Sequence, residues 1–297
     1  VGEIKKYTDI VRLGHRSTVG VLNEGDYIEV SEKLDGANAS FKLNEDGNVD
    51  GFSRNTPVDE INTLRGYYGW IKENIKLELL NPRYRYFREW LVSHHIQYKQ
   101  EYYQKFYLFS VYDDELQEYL SDEIVENEAV RLGLNTAPIL YKGQYISFEH
   151  LMSFVGKSDM AVNFGEGIVV KNVKYRDKFG HQCFVKLVHE DFTEVQKQKP
   201  PKDPNRPATP EQEFANMCVT KARVDKMLYK LVGEGILESD FGIEDMRLIL
   251  SNLGTRIYED IIKEESDLLP EGYEIQPLRK AIGSKIPQIV KEIISNK

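Results

Sequence analysis

The chain has 297 residues, 41% of them hydrophobic and 29% charged, with a formal net charge of −9. That is the balance of a globular protein of about two domains. No apolar run nears the roughly 20 residues that span a bilayer, and the amino terminus lacks the apolar core of a signal peptide, so an intracellular protein is expected. The two cysteines, Cys183 and Cys218, lie 35 residues apart without a CxxC motif, which argues against a zinc site and for reduced core thiols.

From about residue 18 to 60 the pattern is strands and turns. Tyr27–Val30 and Ala39–Leu43 are alternating runs. Between them lies Glu32-Lys33-Leu34-Asp35-Gly36-Ala37-Asn38, which places a lysine at a strand end beside an Asp-Gly turn. A nucleophile fits there, provided desolvation or a nearby cation lowers its pKa; a plain hairpin turn fits the four residues as well. Apolar spacing at Ile61, Leu64, Trp70, Ile71, Ile75 and Leu79 predicts a helix over 57–80. An aromatic-dense stretch follows, and Phe106–Tyr112 is a continuous apolar run of buried-strand length.

Helices are predicted over 120–132 and 147–155, and buried strands over 167–173 and 183–188. Strands mixed with helices, with no steady βαβ rhythm, indicate an α+β fold. Residues 199–210, KPPKDPNRPATP, have the composition of a linker. Beyond it come helical stripes, Val224/Leu228/Leu231 and Met246/Ile249/Leu250/Leu253, and a last predicted helix over 286–294.

The acidic total hides a local reversal: nine basic residues stand against five acidic ones between Lys171 and Arg206. A solvated linker accounts for Lys197 to Arg206, but Lys171 and Lys186 lie inside apolar runs, where an ammonium is costly unless it meets an anion. Glu166 lies five residues before Lys171, so an extended strand points the two to opposite faces unless Gly167 introduces a bend. Unrelated strand-end charges are the alternative. Lys221, Arg223, Lys226 and Lys230 recur on one predicted helix, either as a positive face for a polyanion or as a solvated one. His15, His94 and His95 have no ligand partners at metal spacing.

Taken in order, Lys33-Leu34-Asp35-Gly36, Glu166 to Lys171 and Lys186 resemble the motifs of the covalent nucleotidyltransferases, which comprise ATP-dependent RNA and DNA ligases and mRNA capping enzymes. Glu32 to Asn38, then Phe52-Ser53-Arg54, Glu89-Trp90-Leu91 and the Phe106–Val111 strand are most similar to the bacteriophage RNA ligase 2 family.

The resemblance implies an adenylyltransferase core of antiparallel sheets with flanking helices over 1–203, the linker at 199–210, and a small all-helical domain over 211–297. It implies ATP and Mg²⁺ or Mn²⁺ as cofactors. Lys33 is the AMP-accepting nucleophile, and Lys171 and Lys186 neutralise phosphate. Glu166 and Asp35 hold the metal or its waters. Arg54 and Glu89 contact ribose and phosphate, Phe109 stacks on adenine, Glu32 lines the adenine site, and Asn38 serves later steps.

The implied partner is RNA with 3′-hydroxyl and 5′-phosphate ends, nicked duplex among the possibilities, and the implied setting is the cytoplasm, that of a host cell if phage-encoded, with a monomer expected. Three positions depart from the pattern: Arg88 for glycine, Ser110 for aspartate, and Val188 for lysine. A DNA ligase or a GTP-using capping enzyme is the competing activity, and the helical stripes past 210 argue against the β-barrel that usually follows such cores. A nucleic-acid-binding module with an inactive pocket is the non-enzymatic alternative.

Overall fold

A computed structural model describes residues 2–193 and 208–297. They fall into two compact units, Val1–His189 and Glu190–Lys297. The first unit opens with β1 (Ile10–Arg12), β2 (Tyr27–Lys33), β3 (Ala37–Leu43), β4 (Val49–Ser53), α1 (Tyr67–Asn74), β5 (Tyr84–Leu91) and β6 (Lys105–Asp113). It continues with β7 (Glu118–Tyr119), α2 (Asp122–Leu132), β8 (Asn135–Thr136), β9 (Ile139–Gln144), α3 (Phe148–Met152), β10 (Gly167–Lys171) and β11 (Phe184–Val188).

The strands form two sheets, ordered β1-β11-β10-β2-β9 and β4-β3-β5-β6-β7, with β8 beside β6. All pairings are antiparallel except β1 with β11 and β6 with β8. This is the expected α+β architecture of antiparallel sheets with flanking helices. The Asp-Gly turn is not a hairpin within one sheet: β2 belongs to the first sheet and β3 to the second, so residues 34–36 carry the chain between them.

Strand alternation gives each sheet two distinct faces. In the first, Ile28, Val30, Ile168, Val170, Val185 and Leu187 pack into one core. In the second, Ala39, Phe41, Tyr86, Trp90, Phe106, Leu108 and Val111 pack with α1 and α2. The remaining faces look at each other, because Phe184 of the first sheet and Phe87 of the second share a third cluster with Tyr7, Tyr112 and Tyr119.

The helix predicted over 57–80 is cut to α1. Pro57 bridges to Phe52, and Leu64, Arg65 and Gly66 all take positive φ (48°, 54° and 89°), which no α-helix tolerates. Ile61, expected on the apolar face, is 97% exposed. β8 and β9 form where no element was predicted; Tyr27, which pairs with Gln144 on β9, is the half-exposed start of β2.

The second unit is helical: α4 (Pro210–Cys218), α5 (Lys221–Gly233), α6 (Met246–Glu264) and α7 (Ile275–Ser295) enclose a core that includes Phe214, Leu228, Leu253, Ile257, Ile286 and Val290. Of the predicted linker, 199–207 lie outside the described residues. Its end is structured: Thr209 caps α4 in a capping box with Gln212, and Pro210 stands in the first turn, where a missing N–H costs nothing. The last helix begins at Ile275 rather than 286, because the buried stripe Leu278, Ala281, Ile282, Ile286, Val290 and Ile293 holds it together across Pro287.

The predicted basic face on α5 is largely spent on ion pairs. Arg223 is fully buried against Asp260 and Glu265, and Lys226 Nζ lies 3.0 Å from Asp260. Among the described residues no helix is long and apolar enough to cross a membrane.

Candidate active site

Register fixes what shares the inner face of the first sheet. Lys33 is opposite Gly167, and Gly167 is opposite Val188; Ser31, Val169 and Lys186 form the next row, and Arg12 on β1 stands beside Lys186. On the second sheet Asn38, Glu89 and Tyr107 form a row facing inward. Lys33 therefore ends its strand where the two inner faces meet, with Lys186 on the same face two strands away. Gly167 is required there: a Cβ would lie 2.1 Å from the Leu187 carbonyl oxygen.

Glu166, just before β10, places its Oε1 2.6 Å from Lys33 Nζ. Burial pushes the Lys33 ammonium down, but Glu166, with Glu89 and Asp35, outweighs it and holds Lys33 above its ordinary value. The expected low pKa is thus absent in this state, and the lysine is stored as an ammonium. Burial, reinforced by Asp35 and Glu166 and opposed by Lys33, pushes the Glu89 carboxyl up to about 8. Its Oε1 accepts from the Gly36 N–H at 2.8 Å. Gly36 has no room for a side chain: a Cβ would sit 2.6 Å from the Trp90 carbonyl oxygen.

Asp35, expected to hold the metal or its waters, is engaged by its neighbours. Its carboxylate is held by the His94 ring and by the Ile96 N–H at 2.8 Å, and its own N–H donates to the Tyr98 hydroxyl. Burial alone raises Asp35, but His94, His95 and the Ile96 N–H overcome it and leave the carboxyl well below the usual range. His94 is thus a positioning residue that sequence reasoning passed over. Its partner lies 59 residues away, beyond the reach of any spacing rule.

Lys171, expected beside the phosphate with Lys33 and Lys186, is not next to Lys33. It pairs with Glu29 at the other end of the β2–β10 ladder, four residues from Lys33, roughly 13 Å along the strand. Only 2% exposed, its Nζ meets Asp122 at 2.9 Å and the Phe109 carbonyl oxygen. Glu166 and Lys171 are therefore the unrelated charges that their spacing allowed.

Glu32 alternates onto the face opposite Lys33, where a Cβ on Gly165 would lie 3.1 Å from its Oε1. Its side chain, expected to line the adenine site, thus stands on the face of the sheet away from Lys33. Burial pushes its carboxyl up to about 7; nearby Ser158 opposes the rise and Asp159 adds to it. Arg54, expected at the ribose and phosphate, has its Nη2 3.1 Å from Asp9. Phe109 is the extra residue of a bulge in β6, between partners of Phe87 and Arg88, and its ring meets Tyr7 edge-on at 5.0 Å.

Arg88 faces the outer core, its guanidinium 3.3 Å from the Tyr67 ring centre and 3.7 Å from that of Phe106, without a hydrogen-bond partner among the described residues. Burial lowers its pKa well below the ordinary value. Ser110 is buried, and Val188 occupies the row of Lys33, where a lysine would have added a second charge.

The donor set fits a divalent cation sparingly. Glu166 Oε2 is buried and has no hydrogen-bond partner among the described residues. No cluster of three or more acidic, histidine or cysteine side chains able to hold a metal occurs among them. One carboxylate completed by phosphate oxygens and water suits magnesium better than an all-protein cage.

A family model described as RNA ligase matches residues 26–188. The chain belongs to the RNA ligase family. The matched span holds Lys33, Asn38, Glu89, Glu166 and Lys186, the residues arrayed on or beside the facing sheet surfaces. No curated protein sequence matches the chain.

Among solved structures, this family member resembles an RNA ligase of Naegleria gruberi. A lysine-to-alanine mutant in the apo state is 23% identical with a TM-score of 0.50, over 64% of this chain and 57% of that one. A glutamate-to-alanine mutant with ATP and Mn is 22% identical over the same shares, also at 0.50. A lysine-to-methionine mutant with AMP and Mn gives the same identity, shares and score. The likeness is one of fold, and it spans little more than half the length of those chains.

Proposed function

We propose that the chain is an ATP-dependent RNA ligase acting through a lysyl-AMP intermediate. The observation that carries this reading is the Lys33–Glu166 pair, set between sheet faces that also carry Glu89, Asn38 and Lys186. The N. gruberi neighbours solved with ATP or AMP and Mn support ATP and a divalent metal as the cofactors. Held at Glu166 Oε2, a divalent cation would supply the counter-charge that frees Lys33 from its carboxylate and offsets the charge on phosphate.

Lys33 Nζ, having first given one ammonium proton to solvent, attacks the α-phosphorus of ATP as the neutral amine. An N–P bond forms, the P–O bond to pyrophosphate breaks, and the proton leaves Nζ towards Glu166 Oε1, already in contact with it. Lys186 stands on the same face to meet the developing phosphate charge. Lys171, committed to Asp122, acts instead as a buried strut. AMP then passes to an RNA 5′-phosphate, and a 3′-hydroxyl displaces it to seal the strand.

On this reading the adenylyltransferase core runs to about residue 203, and the helical domain from 211 positions the nucleic acid. The test is sealing of a nicked duplex carrying RNA on the 3′-hydroxyl side. The parent protein seals it and Lys33→Ala does not; sealing by Lys33→Ala would remove Lys33 from the nucleophile's role.

A further inference from the structure

Beside the nucleophile's turn lies a cleft of about 760 Å³ whose wall includes Arg65, His94, His95, Gln97, Gln100 and Gln104. We propose that it binds the ribose-phosphate backbone of the RNA strand being joined, an inference that rests on the ligase reading above. Its size falls within the roughly 300–1,000 Å³ of sites that enclose small ligands.

Charge is the first argument. The protein has 48 acidic against 39 basic residues, yet no aspartate or glutamate lines this cleft. Its wall offers a guanidinium, two imidazoles and three side-chain amides, the donors that phosphate oxygens and ribose hydroxyls accept from.

Backbone strain is the second. Outside glycine, positive φ occurs among the described residues only at Leu64, Arg65, Gln104 and Gln117. Two of these four, Arg65 at 54° and Gln104 at 53°, are in the cleft wall. Such conformations cost energy and persist where the surroundings enforce them. Here Trp90 Nε1 holds the Arg65 carbonyl at 3.2 Å, and Arg65 Nη1 donates to the Ser93 carbonyl at 2.9 Å. The Gln104 N–H is fixed to the Leu91 carbonyl at 2.8 Å.

Position is the third. His94, Ile96 and Tyr98, which line the cleft, are the three residues that clamp Asp35, two positions after Lys33. A strand lying in the cleft thus rests against the segment that orients the nucleophile.

The test uses the full chain and two variants. Arg65→Gly removes the guanidinium while suiting the positive φ, so the fold is kept. Gln100→Glu puts a carboxylate on an exposed site of the wall. Binding of a 5′-phosphorylated RNA oligonucleotide is read by fluorescence anisotropy across salt concentrations, alongside the KM for ATP in adduct formation. Both variants should weaken RNA binding by roughly tenfold, and Arg65→Gly should lower the slope of log Kd against log salt by about 1. RNA affinity within twofold of the parent in both variants would overturn the proposal. So would a raised KM for ATP with RNA affinity unchanged, which would assign the cleft to the triphosphate. A failure of the ligase reading itself shows separately, as a parent protein that forms no AMP adduct.

Discussion

Replacing Glu32 by glutamine tests the placement of this carboxylate on the buried side of β2. Burial moves it from 4.5 to about 7. A shift of that size corresponds to about 3 kcal/mol at most. Below pH 4.5 the carboxyl is protonated in both folded and unfolded chains and costs nothing. Between 4.5 and 7 the unfolded chain releases its proton while the folded one keeps it, so stability falls as pH rises. Above 7 the full penalty is present.

Glutamine keeps the shape and cannot ionise. Glu32→Gln should therefore match the parent near pH 4 and exceed it by up to about 3 kcal/mol at pH 8. The assay is urea denaturation followed by tryptophan fluorescence. Both tryptophans, Trp70 and Trp90, lie in the first unit with ring centres 5.8 Å apart, so the signal reports that unit alone. Glu29 and Glu89, pushed up to about 7 and about 8, leave a residual slope in the variant. Parallel stability curves for parent and variant between pH 5 and 8 would refute the reasoning.

Gly36→Ala forces a Cβ to within 2.6 Å of the Trp90 carbonyl and disturbs the Glu89 contact; it should cost about 1–3 kcal/mol and slow adduct formation, and wild-type behaviour in both would contradict the packing described. Asp122→Ala strands the buried Lys171 ammonium, and a loss of about 3–5 kcal/mol is expected in the same fluorescence assay. Arg88→Met fills the aromatic cage without a charge to desolvate. It should leave stability unchanged or raise it by about 1–4 kcal/mol, whereas a clear loss would show that the cation–ring contacts outweigh burial.

The residues that sequence made legible are those whose roles follow from strand periodicity. Lys33 at a strand end and Lys186 within an apolar strand both emerge on the inner face by alternation. The same alternation, carried through, takes Glu32 to the other face and Lys171 to the far end of the ladder. Order of motifs held no information about which end of a strand each lysine occupies. Helix 57–80 failed because apolar spacing is blind to three successive left-handed residues at 64–66. The clamp of His94, Ile96 and Tyr98 on Asp35, and the Arg12 row beside Lys186, arise from pairings between distant segments. Nothing local in either segment announces them. The buried Arg223 network likewise turns a helix that reads as a basic face into a structural core.

The central claim is that Lys33 becomes covalently joined to AMP. Incubation with ATP labelled at the α-phosphate and a divalent metal, followed by gel analysis of the protein and mass mapping of its peptides, tests it directly. The account predicts label on the peptide containing Lys33, from ATP rather than GTP, and none in Lys33→Ala. Label on another residue, or from GTP alone, would contradict it.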